Sequence, residues 1–363
     1  MVSVVVAARN EAESIGSCIQ ALLHQTYPQG SYEVIVVDDG SNDDTLKIAR
    51  EFLSETVGPK FIVISAAEDA GISGSKKRAL ALGIARASGE IVLTTDADCG
   101  VPPGWIAAMA SRFASRTGMV IGYSAIRSID KKLDALAGWE AVDFLHLMAA
   151  AASSVCQGRA MAASGQSLGF RRTAFYEVGG YSRIIHRVSG DDTLLMQLIR
   201  RSGNWRLSFC LDSDAHVIHP PSSSFSELFA KRVRWASNAP CHLRLDLTFF
   251  LYLANTFVLN FLLVVSPALV VVSEVGWYWV SGTWLTKALA ETVLFAKSRQ
   301  IFQRKDLRWH FLVWVLTQPL YITVMGFAGI WGRFSWKGVS SKWGENPLSG
   351  AEVGGIANSQ KAN

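Results

Sequence analysis

Glu90-Ile-Val-Leu-Thr-Thr-Asp-Ala-Asp98 is an apolar run of strand length that ends by delivering two carboxylates, Asp96 and Asp98, on an extended tripeptide. Successive strand residues face opposite ways, so a spacing of two puts both acids on the same side. Open α/β sheets bind their ligands outside the carboxyl ends of their strands, which is where this pair falls. Carboxylates that do not neutralise one another share a cation, and hard oxygen ligands with room for phosphate suit Mg2+ or Mn2+. The alternative is a plain strand-end turn, because aspartate is common in turns.

Working outward, Val2-Ser-Val-Val-Val-Ala-Ala8 reads as a buried strand, followed by Asn10 as a helix N-cap with Glu13 at the capping-box position. Tyr32 to Asp38 is a second strand, closing on the acidic turn Asp38-Asp-Gly-Ser-Asn-Asp-Asp-Thr45 and leading into a helix through Ile48 and Phe52. Lys60 to Ser65 gives a third strand, and Ser73 to Ala87 a helix carrying Lys76, Lys77 and Arg78. Strands alternating with helices predict an α/β fold with a mostly parallel sheet flanked by helices. Its strand ends then bring Asp38, Asp39, Asp96 and Asp98 toward one crevice, where Lys76 or Lys77 reaches phosphate oxygens unless it is simply solvated. There is no GxxxxGK[ST] loop and no GxGxxG after the first strand, which disfavours a P-loop or a Rossmann dinucleotide site.

In this order, Val4-Val-Val-Ala-Ala-Arg-Asn-Glu11, Val36-Val-Asp-Asp-Gly-Ser41, Gly74-Ser-Lys-Lys-Arg-Ala-Leu80 and Thr95-Asp-Ala-Asp98 resemble the family 2 glycosyltransferases. The resemblance implies a GT-A fold, a nucleotide-sugar donor and an inverting transfer. It also implies that Asp38 and Asp39 contact base and ribose, usually of a uridine diphosphate sugar, with Asn10 and Glu11 helping to build that pocket and Lys76 on the donor. Asp96 and Asp98 then hold ribose, phosphate and metal. Ala174-Phe-Tyr-Glu-Val-Gly-Gly-Tyr181, after Ala163 to Arg172, resembles the stretch lining the sugar and acceptor side.

Gly190-Asp191-Asp192 precedes the helical run Leu194, Leu195, Leu198 and Ile199, where capping alone explains one aspartate. In the family the second acid of the pair is the catalytic base, here Asp192, and Asp191 takes the place of a frequent glutamate. Lys231-Arg-Val-Arg-Trp235 resembles the family's QxxRW element near the acceptor. Arg234 and Trp235 match, while Lys231 stands where processive polysaccharide synthases have glutamine. A juxtamembrane basic cluster with an interfacial tryptophan is the other reading of this stretch.

Composition changes after Asp246. Leu247 to Ser273 is nearly uncharged and longer than the about 20 residues that cross a bilayer. Trp309 to Trp331 is a second candidate span, while Gly276 to Ala296, interrupted by Lys287 and Glu291, spans, re-enters or lies flat. Two crossings, or a re-entrant middle segment, keep both basic loops, Lys297 to Arg308 and Arg333 to Lys342, cytoplasmic. The expected organisation is therefore a catalytic domain over 1–246, two or three transmembrane helices over 247–332 and a partly disordered tail over 333–363. Leu133 to Ala163 reads either as an interfacial helix bordering an acceptor tunnel or as an amphipathic helix packed on the sheet. Because Met1 opens directly on a strand, no signal peptide is expected.

A net charge of +5 over 363 residues is too diffuse for nucleic acid, and five scattered cysteines without a CxxC pair disfavour a disulfide framework or zinc site. His216 and His219 are candidates to approach the metal or ordinary turn residues. The whole predicts a multi-pass enzyme of the cell membrane, its catalytic domain cytoplasmic, passing a sugar from a nucleotide sugar to a lipid or lipid-linked hydroxyl. The alternatives are a processive polysaccharide synthase and a catalytically silent membrane scaffold.

Overall fold

The structure, a computed structural model, describes residues 1–55, 58–70, 75–127, 133–185, 187, 189–272, 276–331, 333–336 and 339–342. Gly74 of the third motif and the tail from Gly344 lie outside the described residues. Strands and helices alternate through the first part of the chain: β1 (Val2–Ala8), α1 (Ile15–Leu23), β2 (Tyr32–Asp38), α2 (Thr45–Glu55), β3 (Lys60–Ser65), α3 (Ala66–Ala70), α4 (Lys76–Arg86), β4 (Ile91–Asp96) and α5 (Trp105–Ala110). There follow β5 (Thr117–Gly122), β6 (Ser124–Ile126), α6 (Ala135–Cys156), β7 (Leu168–Arg171), α7 (Arg172–Glu177), α8 (Thr193–Ser202), β8 (Arg206–Cys210), β9 (Val217–His219), α9 (Phe225–Ala236) and α10 (Ala239–Leu245). The chain then enters α11 (Leu247–Val272), α12 (Trp277–Ile301), α13 (Arg308–Trp331) and the hairpin β10 (Arg333–Trp336) and β11 (Val339–Lys342).

The main sheet has the order β3-β2-β1-β4-β7-β5-β8. β1 to β4 run parallel, and β7 is antiparallel to both of its neighbours. The reason is legible in β1 and β2, whose β-branched runs are covered on both faces, as parallel strands between helices must be. Gly83 of α4 brings that helix so close to the sheet that an added Cβ would sit 2.5 Å from Val5 Cγ1. The register aligns the functional ends: Ala8 pairs with Asp38 and Ala7 with Asp96, so the acid-bearing termini of β2 and β4 flank the end of β1.

The N-cap assigned to Asn10 is corrected. α1 starts at Ile15 with Ser14 as its N-cap, and Glu13 makes no capping box. Asn10 instead adopts a left-handed φ of 53°, which asparagine tolerates better than most residues. Its Oδ1 accepts from Asn42 N (2.8 Å) and its own N–H donates to Ser41 Oγ (3.0 Å), stitching the end of β1 to the acidic turn.

The segment from Leu133 to Ala163 resolves into α6, capped by Asp134, whose side chain accepts from Ala137 N. It packs on β6 and β8 and against α12 and α13, and one face borders the cleft described below. Two C-terminal segments, Leu247–Val272 and Lys305–Gly329, are long and apolar enough to cross a membrane by length and composition.

Candidate functional site

A cleft of about 830 Å³ opens at the carboxyl ends of β1, β2 and β4. It is lined by Asn10, Glu11, Asp39, Lys76, Asp96 and Asp98, and by Gly165, Asp191 and Asp192. Arg234 and Trp235 of α9 line it as well. Asp38 lies just behind the wall, buried, its carboxylate accepting from Gly40 N and Ser41 N at 3.2 Å. Asp39 is fixed by its N–H to Ala8 O (2.8 Å) and by Oδ1, which accepts from Ser75 N (3.2 Å). Glu11 is held through its N–H to Thr45 Oγ1 at 2.8 Å. Ten of the eleven predicted site residues thus meet around one cavity, and the eleventh, Asp38, shapes the turn beneath it.

Lys76 ties the two acidic motifs together. Its Nζ lies 2.6 Å from Asp96 Oδ1 and 3.0 Å from Asp191 Oδ2. Burial works against the ammonium charge, but Asp191 and Asp96 outweigh it and hold Lys76 protonated well above the ordinary lysine range. Lys77, the other candidate of the sequence reading, is turned away: its buried Nζ donates to Arg187 O and Ser189 O at 2.7 and 2.8 Å.

Among the described residues, the close group of possible metal ligands is Asp96, Asp98 and Cys99, whose ligand atoms lie within 4.8 Å of one another. Burial and the neighbouring aspartates push the Cys99 thiol well up, so it stays protonated and the donors that remain are carboxylate oxygens. That set fits a hard divalent cation. Burial, then Asp96 and Glu11, raise Asp98 above the usual carboxylate range, the strain of crowded acids that a cation would relieve. His219 faces the cleft, its ring edge-on to Phe144, whereas His216 packs edge-on against Tyr123; neither joins this group.

Gly190, at a φ of 93° open to glycine, turns the chain so that Asp191 and Asp192 follow at the start of α8. Asp192 does cap the helix, its Oδ1 accepting from Thr193 N, yet its Oδ2 reaches across the cleft wall to accept from Gly165 N at 3.1 Å. Burial and then Asp191 push its pKa up, while Asp191, despite its partial burial, is held down by Lys76 and Lys77. The adjacent pair is thereby split into a retained anion and a proton-accepting group.

The cleft also has apolar lining: Leu147 and Met148 of α6, and Phe249 and Leu253 from the first turns of α11. Glu140 of α6, fully buried, accepts from Lys231 Nζ (3.0 Å), Ser222 N (2.8 Å) and Ser222 Oγ (3.0 Å). Asp143 pairs with Arg232 at 2.8 Å, and the Arg232 guanidinium lies 4.5 Å over the Trp235 ring. These two acids fix the Lys231–Trp235 element, and the sequence reading gave them no such role. The available signal was two acids three residues apart in an otherwise apolar helix.

Residues 3–179 match the glycosyl transferase family 2 model. Glycosyltransferase AglE of Haloferax volcanii is 38% identical over 105 residues, 29% of this chain and 33% of that one. Beta-monoglucosyldiacylglycerol synthase of Synechocystis is 37% identical over 116 residues, 32% and 23% of the two chains. The N-acetylglucosaminyltransferase of Rhizobium meliloti is 28% identical over 247 residues, 65% and 54% of the two chains. The chain thus spans a third or less of the first two relatives, at 33% and 23%, and about half of the third, at 54%. Among solved structures, the mannosyltransferase PcManGT from Pyrobaculum calidifontis, in complex with GDP-Man and Mn2+, superposes with a TM-score of 0.60 at 20% identity, covering 91% of this chain and 87% of that one. The fold is therefore of the GT-A type.

Proposed function

Given that residues 3–179 make this chain a member of glycosyl transferase family 2, we propose that it is a membrane-bound inverting glycosyltransferase of the cytoplasmic face that moves one sugar from a nucleotide sugar, foremost a uridine diphosphate sugar, to a lipid hydroxyl. The observation that carries this reading is the cleft's make-up: one cavity is lined by the strand-end acids with Lys76, by Asp191 and Asp192, and by apolar residues of α6 and α11. Asn10, Glu11, Asp38 and Asp39 form the nucleoside end. Asp96 and Asp98 would hold Mg2+ or Mn2+, which when bound supplies positive charge to the departing diphosphate. Lys76, already protonated, exchanges its carboxylate partners for the outer phosphate oxygens.

Transfer is a single displacement. The acceptor oxygen bonds to the anomeric carbon as the bond from that carbon to the diphosphate oxygen breaks. The electron pair leaves with the nucleoside diphosphate, and the hydroxyl proton passes to Asp192, whose raised proton affinity suits a base working near neutral pH. Arg234 and Trp235 border the acceptor. Lys231 is committed to Glu140, which supports a role in shaping that border rather than in gripping a growing polymer.

The test is detergent-purified enzyme with Mg2+ or Mn2+ and a panel of nucleotide sugars, scoring nucleoside diphosphate release with and without extracted bacterial lipids. Lipid-dependent release with one preferred donor, lost in Asp98→Ala and Asp192→Asn, supports the reading. Donor binding without release under every lipid overturns it in favour of a silent scaffold, and long polymer product overturns it in favour of a synthase.

A further inference from the structure

The helices after Asp246 do not relate to the catalytic domain in the way their composition alone suggests. α11 and α13 are the two that qualify as spans by length and hydropathy. Yet α13, 24 residues and about 36 Å long, lies against the catalytic domain from end to end. The His310 ring packs directly on Gly138 of α6, Trp314 Nε1 donates to Asp143 Oδ1 (3.2 Å), Tyr321 stacks edge-on with Trp139, and Gly329 meets Ala236 of α9.

The connection before it is also anchored. Phe302 stacks on Tyr123 with ring centroids 4.0 Å apart, and Arg304 and Leu307 are buried. After α13, the strand β10 returns to α9. Both ends of α13 are thus tied to the same body. Were α13 to cross, those ends would be separated by a hydrocarbon core about 30 Å thick. The ion pairs Glu140–Lys231 and Asp143–Arg232, packed along its middle, would then have to sit at membrane depth, where charge is costly.

The opposite face of α13 exposes Leu312, Val313, Leu316, Leu320, Val324 and Phe327. Exposed Lys305 and Arg308 stand at its start, complementary to anionic headgroups. α11 packs on its second half through Phe257 and Phe261 against Phe327, so this face continues into the exposed apolar surface of α11. α12 runs from Trp277, Tyr278 and Trp279, all exposed, to Phe295, buried against α6 and α13, and so returns the chain to the catalytic side.

We infer that α13 is an in-plane anchor whose outer face rests on the lipid surface on the catalytic side of the membrane, and that the crossing pair is α11 and α12, the mid-helix charges of α12, Lys287 and Glu291, entering together as a largely buried i,i+4 ion pair at 2.7 Å. This rests on the membrane reading proposed above. It places the mouth of the cleft, with Phe249 and Leu253 of α11, at the level where a lipid acceptor presents its hydroxyl.

The experiment is labelling with a membrane-impermeant maleimide applied to right-side-out and inverted vesicles carrying the full chain. Native exposed Cys156 marks the catalytic side, and Lys305→Cys, Ser340→Cys and Ser273→Cys are introduced singly into a Cys156→Ser background. The expected result is labelling of Cys156, Lys305→Cys and Ser340→Cys from one side and of Ser273→Cys from the other. A C-terminal epitope on the otherwise unchanged chain, detected from the same side as Cys156, repeats the test without touching the helices. Lys305→Cys and Ser340→Cys on opposite sides would overturn the inference, as would Ser273→Cys on the catalytic side. Recovery of the chain from the soluble fraction would overturn the membrane reading itself, whereas a failed transferase assay with the expected labelling leaves this inference standing.

Discussion

Asp192 carries two loads, capping α8 and, in the proposed reaction, taking the acceptor proton. Asparagine retains much of the capping ability but cannot accept that proton. Asp192→Asn is therefore expected to lower turnover by about 100-fold or more, with nucleotide-sugar affinity unchanged by calorimetry. Normal turnover would remove Asp192 from the mechanism. The pH dependence has a definite sign. A base must be deprotonated, and burial with Asp191 raises the pKa of Asp192, so turnover should fall on acidification at a pH above the ordinary carboxylate range. Asp191→Asn removes the neighbouring charge, and the acid limb of the kcat profile should move to lower pH. Lys76→Met leaves Asp96 and Asp191 without their shared counter-charge and the diphosphate without a cationic donor, so the donor KM should rise about tenfold or more.

The pairing of α6 with α9 is what fixes the Lys231–Trp235 element on the proposed acceptor side. Glu140 is wholly buried and Lys231 half-buried, and their separation of 91 residues puts this contact beyond any local pattern. Breaking one member of a buried pair leaves the other uncompensated, so Glu140→Gln should cost about 3 kcal/mol in denaturant unfolding in detergent. Glu140→Gln with Lys231→Met together should recover most of that loss; additive losses would show that the pair is not coupled. In the first half of the chain the elements follow local rules. β1, β2 and β4 are largely apolar runs, Asp38 and Asp96 close β2 and β4, and Glu33, the buried carboxylate inside β2, is accommodated by Ser3, Ser88 and Lys60. Asn10 misleads as a helix start because its residue type suits both an N-cap and a left-handed turn, and the partners that select the turn, Ser41 and Asn42, lie on another strand's loop.

At the scale of the whole molecule, the cleft joins an acidic floor made by the sheet to an apolar wall made by α6 and α11. Charging that wall tests its purpose. Leu147→Glu and Leu253→Glu should each raise the KM for a lipid acceptor while leaving that for the nucleotide sugar unchanged, and equal effects on both would deny the wall an acceptor role. The sequence by itself determined the alternating α/β order, the acids at the strand ends, the paired aspartates before α8 and the apolar character of the C-terminal helices, because strand and helix periodicity, capping and hydropathy are properties of neighbours along the chain. Only the tertiary structure decided that Lys76 rather than Lys77 faces the acids, that Glu140 and Asp143 hold the Lys231–Trp235 element, and that α13 lies along the catalytic domain. Those outcomes depend on which surfaces meet in space, and residues as far as 91 and 171 positions apart meet through packing that no local spacing encodes.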